Sequence, residues 1–269
     1  MAEQDRIFTG SIPAIYDRYL GPLIFAGYAA DLVQRVAAAA PRRVLETAAG
    51  TGMVTRAMAK ALPPTVEIIA TDLNQPMLDY AAAQPGVERV TWRQADALAL
   101  PFPDGSFDAV VCQFGVMFFP DRAVGYREAR RVLRPGGRFL FNVWDRIDDN
   151  ELTDVVTAAV GEMFPHDPPR FLARTPHGYH DTAAITDALR HAGFGRVESE
   201  TIAKRSRAAS PRHPAIGFCQ GTPLRGEIEA RGPGRLEEAT DAAAAAITAR
   251  FGTGPLDGKI QAHVFTAFV

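Results

Sequence analysis

Residues Arg43 to Arg56, RVLETAAGTGMVTR, constrain the fold more than any other stretch of the chain. Val44 and Leu45 close a short apolar run that reads as a buried parallel strand. Gly50 and Gly52 then open a tight turn, and Met53 to Leu62 carries helical spacing. Strand, glycine turn and helix in that order direct backbone N–H groups and a helix N-terminus at a nucleotide-like ligand. Glycine suits the turn because a Cβ would hold the ligand away from the backbone.

Downstream spacing extends the pattern. Val66 to Thr71 (VEIIAT) is a second apolar strand ending in Asp72, 20 residues beyond Gly52. An acid at that point can accept both hydroxyls of a ribose. Val90 to Gln94 reads as a third strand, followed by the acid Asp96; Phe107 to Cys112 is a fourth and Gly137 to Trp144 a fifth. Asn150 to Met163 is one helix, and Asp181 caps another after a loop rich in proline and histidine. Phe194 to Ala203 and Lys259 to Val269 supply strands six and seven. The predicted fold class is α/β: a doubly wound, mostly parallel seven-stranded sheet of Rossmann-like type, with N-terminal helices and a helical cap inserted before the last strand. The expected organisation is an N-terminal helical segment over residues 1–40 and a core over 41–205. The cap follows over 206–258 and the final core strand over 259–269.

The series ETAAGTG, ATDLNQPML, QADALALPFPDGSFDAVVCQFGVMFFPD and RVLRPGGRFLF resembles the class I S-adenosylmethionine-dependent methyltransferases. Within them it is similar to the branch holding the ubiquinone/menaquinone C-methyltransferases and related small-molecule methyltransferases. One departure is that the family's first loop glycine is Ala48 here. The resemblance implies S-adenosylmethionine as cofactor and S-adenosylhomocysteine as co-product. It implies that the backbone of Ala48, Gly50, Thr51 and Gly52 approaches the methionine and ribose, with Glu46 ordering the loop. Asp72 would take the ribose hydroxyls, Leu73 and Met77 would flank the adenine, and Asp96 with Ala97 would read its amino group. Gln113 would help place the methionine amino group, and Tyr19 would complete the cofactor contacts. Tyr16, Phe25, Tyr28, Phe114, Met117 and Phe118 fall where acceptors enter in the family; packing within the body is the other use for these side chains.

A dinucleotide fingerprint requires G-x-G-x-x-G, and AAGTGMV lacks the third glycine. An NAD(P)-dependent oxidoreductase is therefore the lesser reading. A non-catalytic S-adenosylmethionine-binding protein is the third. For a catalytic base the residues offer only His166, His177 and His180, in or beside the proline-rich loop. No zinc-binding cysteine cluster, HExxH or chelating set of carboxylates is visible, so no metal is expected.

A net charge of −2 gives no reason to expect nucleic acid as partner. No apolar run reaches the length of a membrane span, and the polar start MAEQDRIFTGS lacks the pattern of a signal peptide. A cytoplasmic enzyme acting on a small, largely apolar acceptor is the expectation. The insertion at 206–258 would serve as a lid over that acceptor, or alternatively as the interface of a homodimer.

Overall fold

In the computed structural model, which describes Asp5, Phe8 and residues 10–269, four short strands form where apolar runs are bounded by turns. They are Arg43–Glu46 (β1), Glu67–Asp72 (β2), Val90–Gln94 (β3) and Phe107–Gln113 (β4). Longer strands follow at Leu133–Trp144 (β5), Arg196–Ala208 (β6) and Leu256–Phe268 (β7). Together they make one seven-stranded sheet in the order β3-β2-β1-β4-β5-β7-β6. Neighbours from β3 to β5 are parallel, with Val44 opposite both Ile68 and Ala109. β7 runs against its neighbours: Val269 N–H donates to Gly137 O and Asp145 N–H to Gln261 O, while Gly195 N–H donates to Phe268 O. Carboxyl ends of β1 to β4 therefore share one edge of the sheet, where ligands of open α/β folds bind. The reading from residues 1–11 that no signal peptide is present lies largely outside the described residues.

The chain divides into two units. Unit 2 comprises Ala26–Val143, His180–Ile202 and His263–Val269, and holds the sheet core. Ala26–Ala38 (α2) and Met53–Ala61 (α3) cover one face, where Leu32, Val36, Val54 and Met58 pack on Val44, Ile68, Val111 and Leu140. Alternation along β5 sends Phe139 and Phe141 to the other face. There they stack at 4.7 Å, and Phe141 stacks on Phe265 at 4.9 Å. Gln75–Ala82 (α4), Arg122–Val132 (α5) and Thr182–His191 (α8) complete this unit. Asp121 and Asp181 cap α5 and α8 through their side chains, accepting from Val124 N–H and from Ala183 and Ala184 N–H. Asn74 stands at the N-cap of α4 without a side-chain cap bond, because its amide turns instead to Asp72.

Unit 1 takes in the described residues up to Phe25, then Trp144–Tyr179 and Ala203–Ala262. Its helices are Ile12–Ile15 (α1), Glu151–Glu162 (α6), Phe171–Arg174 (α7), Arg212–Gln220 (α9), Leu224–Arg231 (α10) and Leu236–Phe251 (α11). Leu20, Val156, Phe171, Phe218, Cys219, Ile228 and Ile247 form its buried interior. Gly21 and Pro22 read as helix breakers, but the structure carries the helix through them as a π-helix over Tyr16–Phe25. The wider turn accommodates a proline that has no N–H to offer. Ser206 Oγ–H donates to Leu23 O at 2.9 Å, satisfying a carbonyl within that segment. No described helix is long and apolar enough to cross a membrane.

Candidate functional site

The loop after β1 is built from left-handed backbone. Ala48, Gly50 and Gly52 have φ of 51°, 55° and 78°. For alanine this conformation costs roughly 1–2 kcal/mol, so neighbouring structure must hold it. Thr47 N–H donates to Val111 O, Ala49 N–H to Thr71 O and Gly52 N–H to Ala49 O, each at 2.9 Å. A Cβ on Gly52 would lie 3.1 Å from both Ala81 Cβ and the Trp92 ring, so glycine there lets α4 and β3 close on the loop. A Cβ on Gly50 would meet nothing within 4 Å. Its backbone faces open space.

Ala48, the family's missing glycine, has a definite neighbour. A Cβ built on Gly115, just past β4, would fall 2.6 Å from Ala48 Cβ and 2.6 Å from Cys112 Sγ. The Ala48 methyl thus occupies a corner that Gly115 leaves vacant. Phe114, between Cys112 and that glycine, is itself left-handed at φ 50°. Its N–H is held by Asn142 Oδ1 at 2.9 Å.

Two buried carboxyls flank the loop. Asp72 is 7% exposed. Its Oδ2 accepts from Gly50 N–H at 2.8 Å and its Oδ1 from Asn74 N–H at 2.8 Å. Burial raises its pKa above the ordinary carboxylate range, against the pull of those two bonds. Glu46 is 2% exposed, and its Oε2 accepts from Thr55 Oγ–H at 2.5 Å. Burial pushes Glu46 up to about 8; the Thr55 hydrogen bond opposes this, the Asp72 charge adds to it, and the Arg56 charge opposes it. Thr71 Oγ–H donates to the Glu46 carbonyl at 2.9 Å. Arg56 donates to Thr51 O at 2.6 Å.

The remaining cofactor candidates lie along the same edge. Leu73 is 42% exposed, the one large apolar side chain so exposed among the described residues, whereas Met77 is buried. Asp96 is exposed and turns the chain after β3, its Oδ1 accepting from Leu98 N–H at 2.9 Å; Ala97 is half-buried. Gln113 ends β4 in register with Asn142 of β5. Gln113 Oε1 and Asn142 Nδ2 are both buried without a hydrogen-bond partner among the described residues. Sequence reading did not single out Asn142, Thr55 or Thr71. Asn142 is found only through the β4–β5 register, which has no local signature.

The acceptor and base candidates are distributed between the units. Tyr28 is fully buried in unit 2, its hydroxyl donating to Ile202 O at 2.8 Å and its ring edge-on to Phe114 at 5.4 Å. Phe114 and Met117 are buried, and Phe118 is half-buried. Tyr16, Tyr19 and Phe25 belong to unit 1, where Tyr16 stacks on Phe25 at 4.9 Å and Tyr19 meets His213 at 5.6 Å. His166 is exposed, and half-buried His180 begins a segment of unit 2. His177 is buried in unit 1 with Nδ1 2.8 Å from Asp145 O. A carbonyl at that nitrogen requires the proton on Nδ1, which leaves Nε2 as the basic position. Among the described residues no three His, Cys, Asp or Glu side chains are grouped to hold a metal ion.

Comparison with known proteins agrees with this geometry. The family described as "Methyltransferase domain" matches residues 45–141. Demethylmenaquinone methyltransferase of Deinococcus radiodurans is 41% identical over 135 residues, covering 48% of this chain and 56% of the relative. The ubiquinone/menaquinone biosynthesis C-methyltransferase of Methylobacterium nodulans is 31% identical over 169 residues, 58% of this chain and 67% of the relative. The corresponding Pseudomonas aeruginosa enzyme is 33% identical over 168 residues, and the match spans 66% of its length. Among solved structures, phosphoethanolamine N-methyltransferase 2 of Haemonchus contortus shares the fold with a TM-score of 0.59 at 18% identity, covering 95% of this chain and 57% of that one. The cyclase SpnF shares it at 0.57 and 20% identity, covering 90% and 80%. With the glycine turn, the paired acids and the strand order in place, the chain belongs to the class I S-adenosylmethionine-dependent methyltransferases, in the family that includes the ubiquinone/menaquinone C-methyltransferases.

Proposed function

We propose that this protein is a cytoplasmic enzyme that transfers a methyl group from S-adenosylmethionine to a small, largely apolar acceptor, leaving S-adenosylhomocysteine. The observation that carries this reading is the Gly50 backbone, left-handed and open to space, beside the buried Asp72 carboxylate and the exposed Leu73. Those residues fit the cofactor's chemistry: close backbone approach, a hydroxyl acceptor and an apolar surface for a base. When bound, S-adenosylmethionine supplies an electrophilic methyl carbon whose bonding electrons return to sulfur, so the sulfonium becomes a thioether.

The chain's own part is binding, alignment and exclusion of water. Asp72 accepts from the ribose hydroxyls, Leu73 and Met77 flank the adenine, and Asp96 with the Ala97 backbone reads its amino group. Gln113 directs its oxygen at the methionine amine, a role supported by a buried Oε1 that no donor among the described residues satisfies. With its Nδ1 proton on Asp145 O, His177 would take up a further proton at Nε2. Acceptor choice is assigned to the inserted helices, because the family match stops at residue 141 and leaves them outside the shared part.

Titration calorimetry in chelator tests the reading. Heat of binding is expected with S-adenosylmethionine and S-adenosylhomocysteine; heat with NAD(P) alone would overturn it. A screen of acceptors with detection of the methylated product then identifies the substrate.

A further inference from the structure

The two buried carboxyls beside the glycine loop are unequally served. Asp72 accepts from two backbone N–H groups, which stabilise its anion. Among the described residues Glu46 has no backbone donor of that kind; its described bond is to the Thr55 hydroxyl, which can donate to a carboxylate or to the carbonyl oxygen of a carboxylic acid. The groups facing Glu46 come from each element packed on it. α3 brings Thr55 and Arg56, β2 brings Thr71 and the Asp72 carboxyl, and β4 brings the Cys112 thiol. Burial pushes that thiol up to about 12, so it is neutral. Among the described residues Arg56 is the cation acting on Glu46, and it serves a loop with two acids. Such a pocket is short of one positive charge when both acids are ionised.

We propose that Glu46 is the residue by which the site distinguishes the sulfonium cofactor from its thioether product. In the ligand-free protein Glu46 holds a proton while its Oε2 accepts from Thr55 Oγ–H. Binding of a ligand carrying one additional positive charge ionises Glu46, and the proton leaves to solvent. A neutral sulfur gives no reason for that proton to leave, so the product is held by a site that has taken its proton back. The inference rests on the methyltransferase reading above, and it adds a direction: ligand preference shifts toward the sulfonium as pH rises.

The size of the effect is set by the protonated fraction. With the carboxyl pushed up to about 8, most of Glu46 is protonated at pH 7, and a roughly tenfold weaker hold on that proton when the sulfonium binds would release about half a proton close to the midpoint. Across the pH range in which Glu46 titrates, affinity for S-adenosylmethionine should rise about tenfold relative to S-adenosylhomocysteine.

Calorimetry in buffers of different ionisation enthalpy counts the protons. The expected result is release of about half a proton with S-adenosylmethionine and near none with S-adenosylhomocysteine, a difference abolished in Glu46→Gln. The ligand amines titrate alike in both proteins, so comparing wild type with Glu46→Gln isolates the side chain. Infrared difference spectra of the wild type give a second readout that needs no variant: a protonated carboxyl band should vanish on adding the sulfonium and persist with the thioether. Equal proton release for both ligands, release unchanged in Glu46→Gln, or no infrared change would each overturn the proposal. Failure to bind S-adenosylmethionine at all would overturn the methyltransferase reading instead.

Discussion

Replacing Gly115 by alanine should destabilise the sheet unit through the methyl of Ala48. The backbone at Gly115, φ −102° and ψ −38°, is open to any L-residue. Reduced freedom of the unfolded chain would by itself make the change stabilising by about 0.4–1 kcal/mol. Against this, the new Cβ would sit 2.6 Å from Ala48 Cβ and 2.6 Å from Cys112 Sγ. Overpacking of a buried corner costs about 1–3 kcal/mol, and two such contacts put this case in the upper part of that range. The net expectation is a loss of about 2 kcal/mol.

Ala48→Gly should be nearly neutral alone. It relieves roughly 1–2 kcal/mol of left-handed strain, offset by about 0.8 kcal/mol for a lost methyl contact and about 0.5–1 kcal/mol for glycine's freedom when unfolded. In the Gly115→Ala background it should restore about 1 kcal/mol, because the Cys112 contact remains. Urea denaturation of the wild type, both single variants and the double variant gives the coupling energy directly. Effects that add within about 0.3 kcal/mol would show that the Ala48 methyl does not fill this corner.

Asp72→Ala should weaken S-adenosylmethionine binding by about 30- to 1,000-fold, the equivalent of roughly 2–4 kcal/mol for charge-assisted bonds; unchanged affinity in a calorimetric titration would leave Asp72 with only its loop bonds to Gly50 and Asn74. Asn142→Ala removes the side-chain acceptor of the buried Phe114 N–H, which keeps the Asn142 carbonyl at 3.2 Å, and should cost about 0.5–1.5 kcal/mol in urea denaturation. Asn142→Asp, which keeps an acceptor oxygen, should cost less if the carboxyl remains protonated. Glu46 binds its proton more tightly folded, near 8, than unfolded, so its contribution to ligand-free stability is present in acid and is lost as pH rises from about 5 to above 8. Melting curves at several pH values should show this fall in the wild type and a shallower one in Glu46→Gln.

Most of the sheet was legible because its strands are local apolar runs with punctuated ends. The third strand, Val90–Gln94, matches the bounds read from sequence. Nonlocal support is what the sequence concealed. Gly21 and Pro22 are breakers by local chemistry, yet Gly217 lets α9 approach Leu20, where a Cβ would lie 2.7 Å away, and Ser206 satisfies Leu23. Arg212–Gln220 lies within the segment expected to be helical, although Pro214 and Gly217 obscure its bounds. The fifth strand begins earlier than expected. Pairing passes from Phe107–Leu133 to Ala109–Arg138, so the Arg134–Gly137 turn is a bulge within the strand. At the site, Asp72 and the glycines were legible from spacing. The state of the Glu46 carboxyl was not, because it depends on burial and on which neighbours donate.

The two cysteines fall one to each unit, Cys112 on β4 beside the glycine loop and Cys219 on α9. Both are buried, and burial pushes both thiols up to about 12, so neither has appreciable thiolate near neutrality. A thiol reagent can therefore modify either side chain only through transient opening of its own unit. The rates of the two reactions become separate clocks for the breathing of each half. Cofactor that grips the glycine loop should slow the Cys112 clock, whatever it does to the one at Cys219.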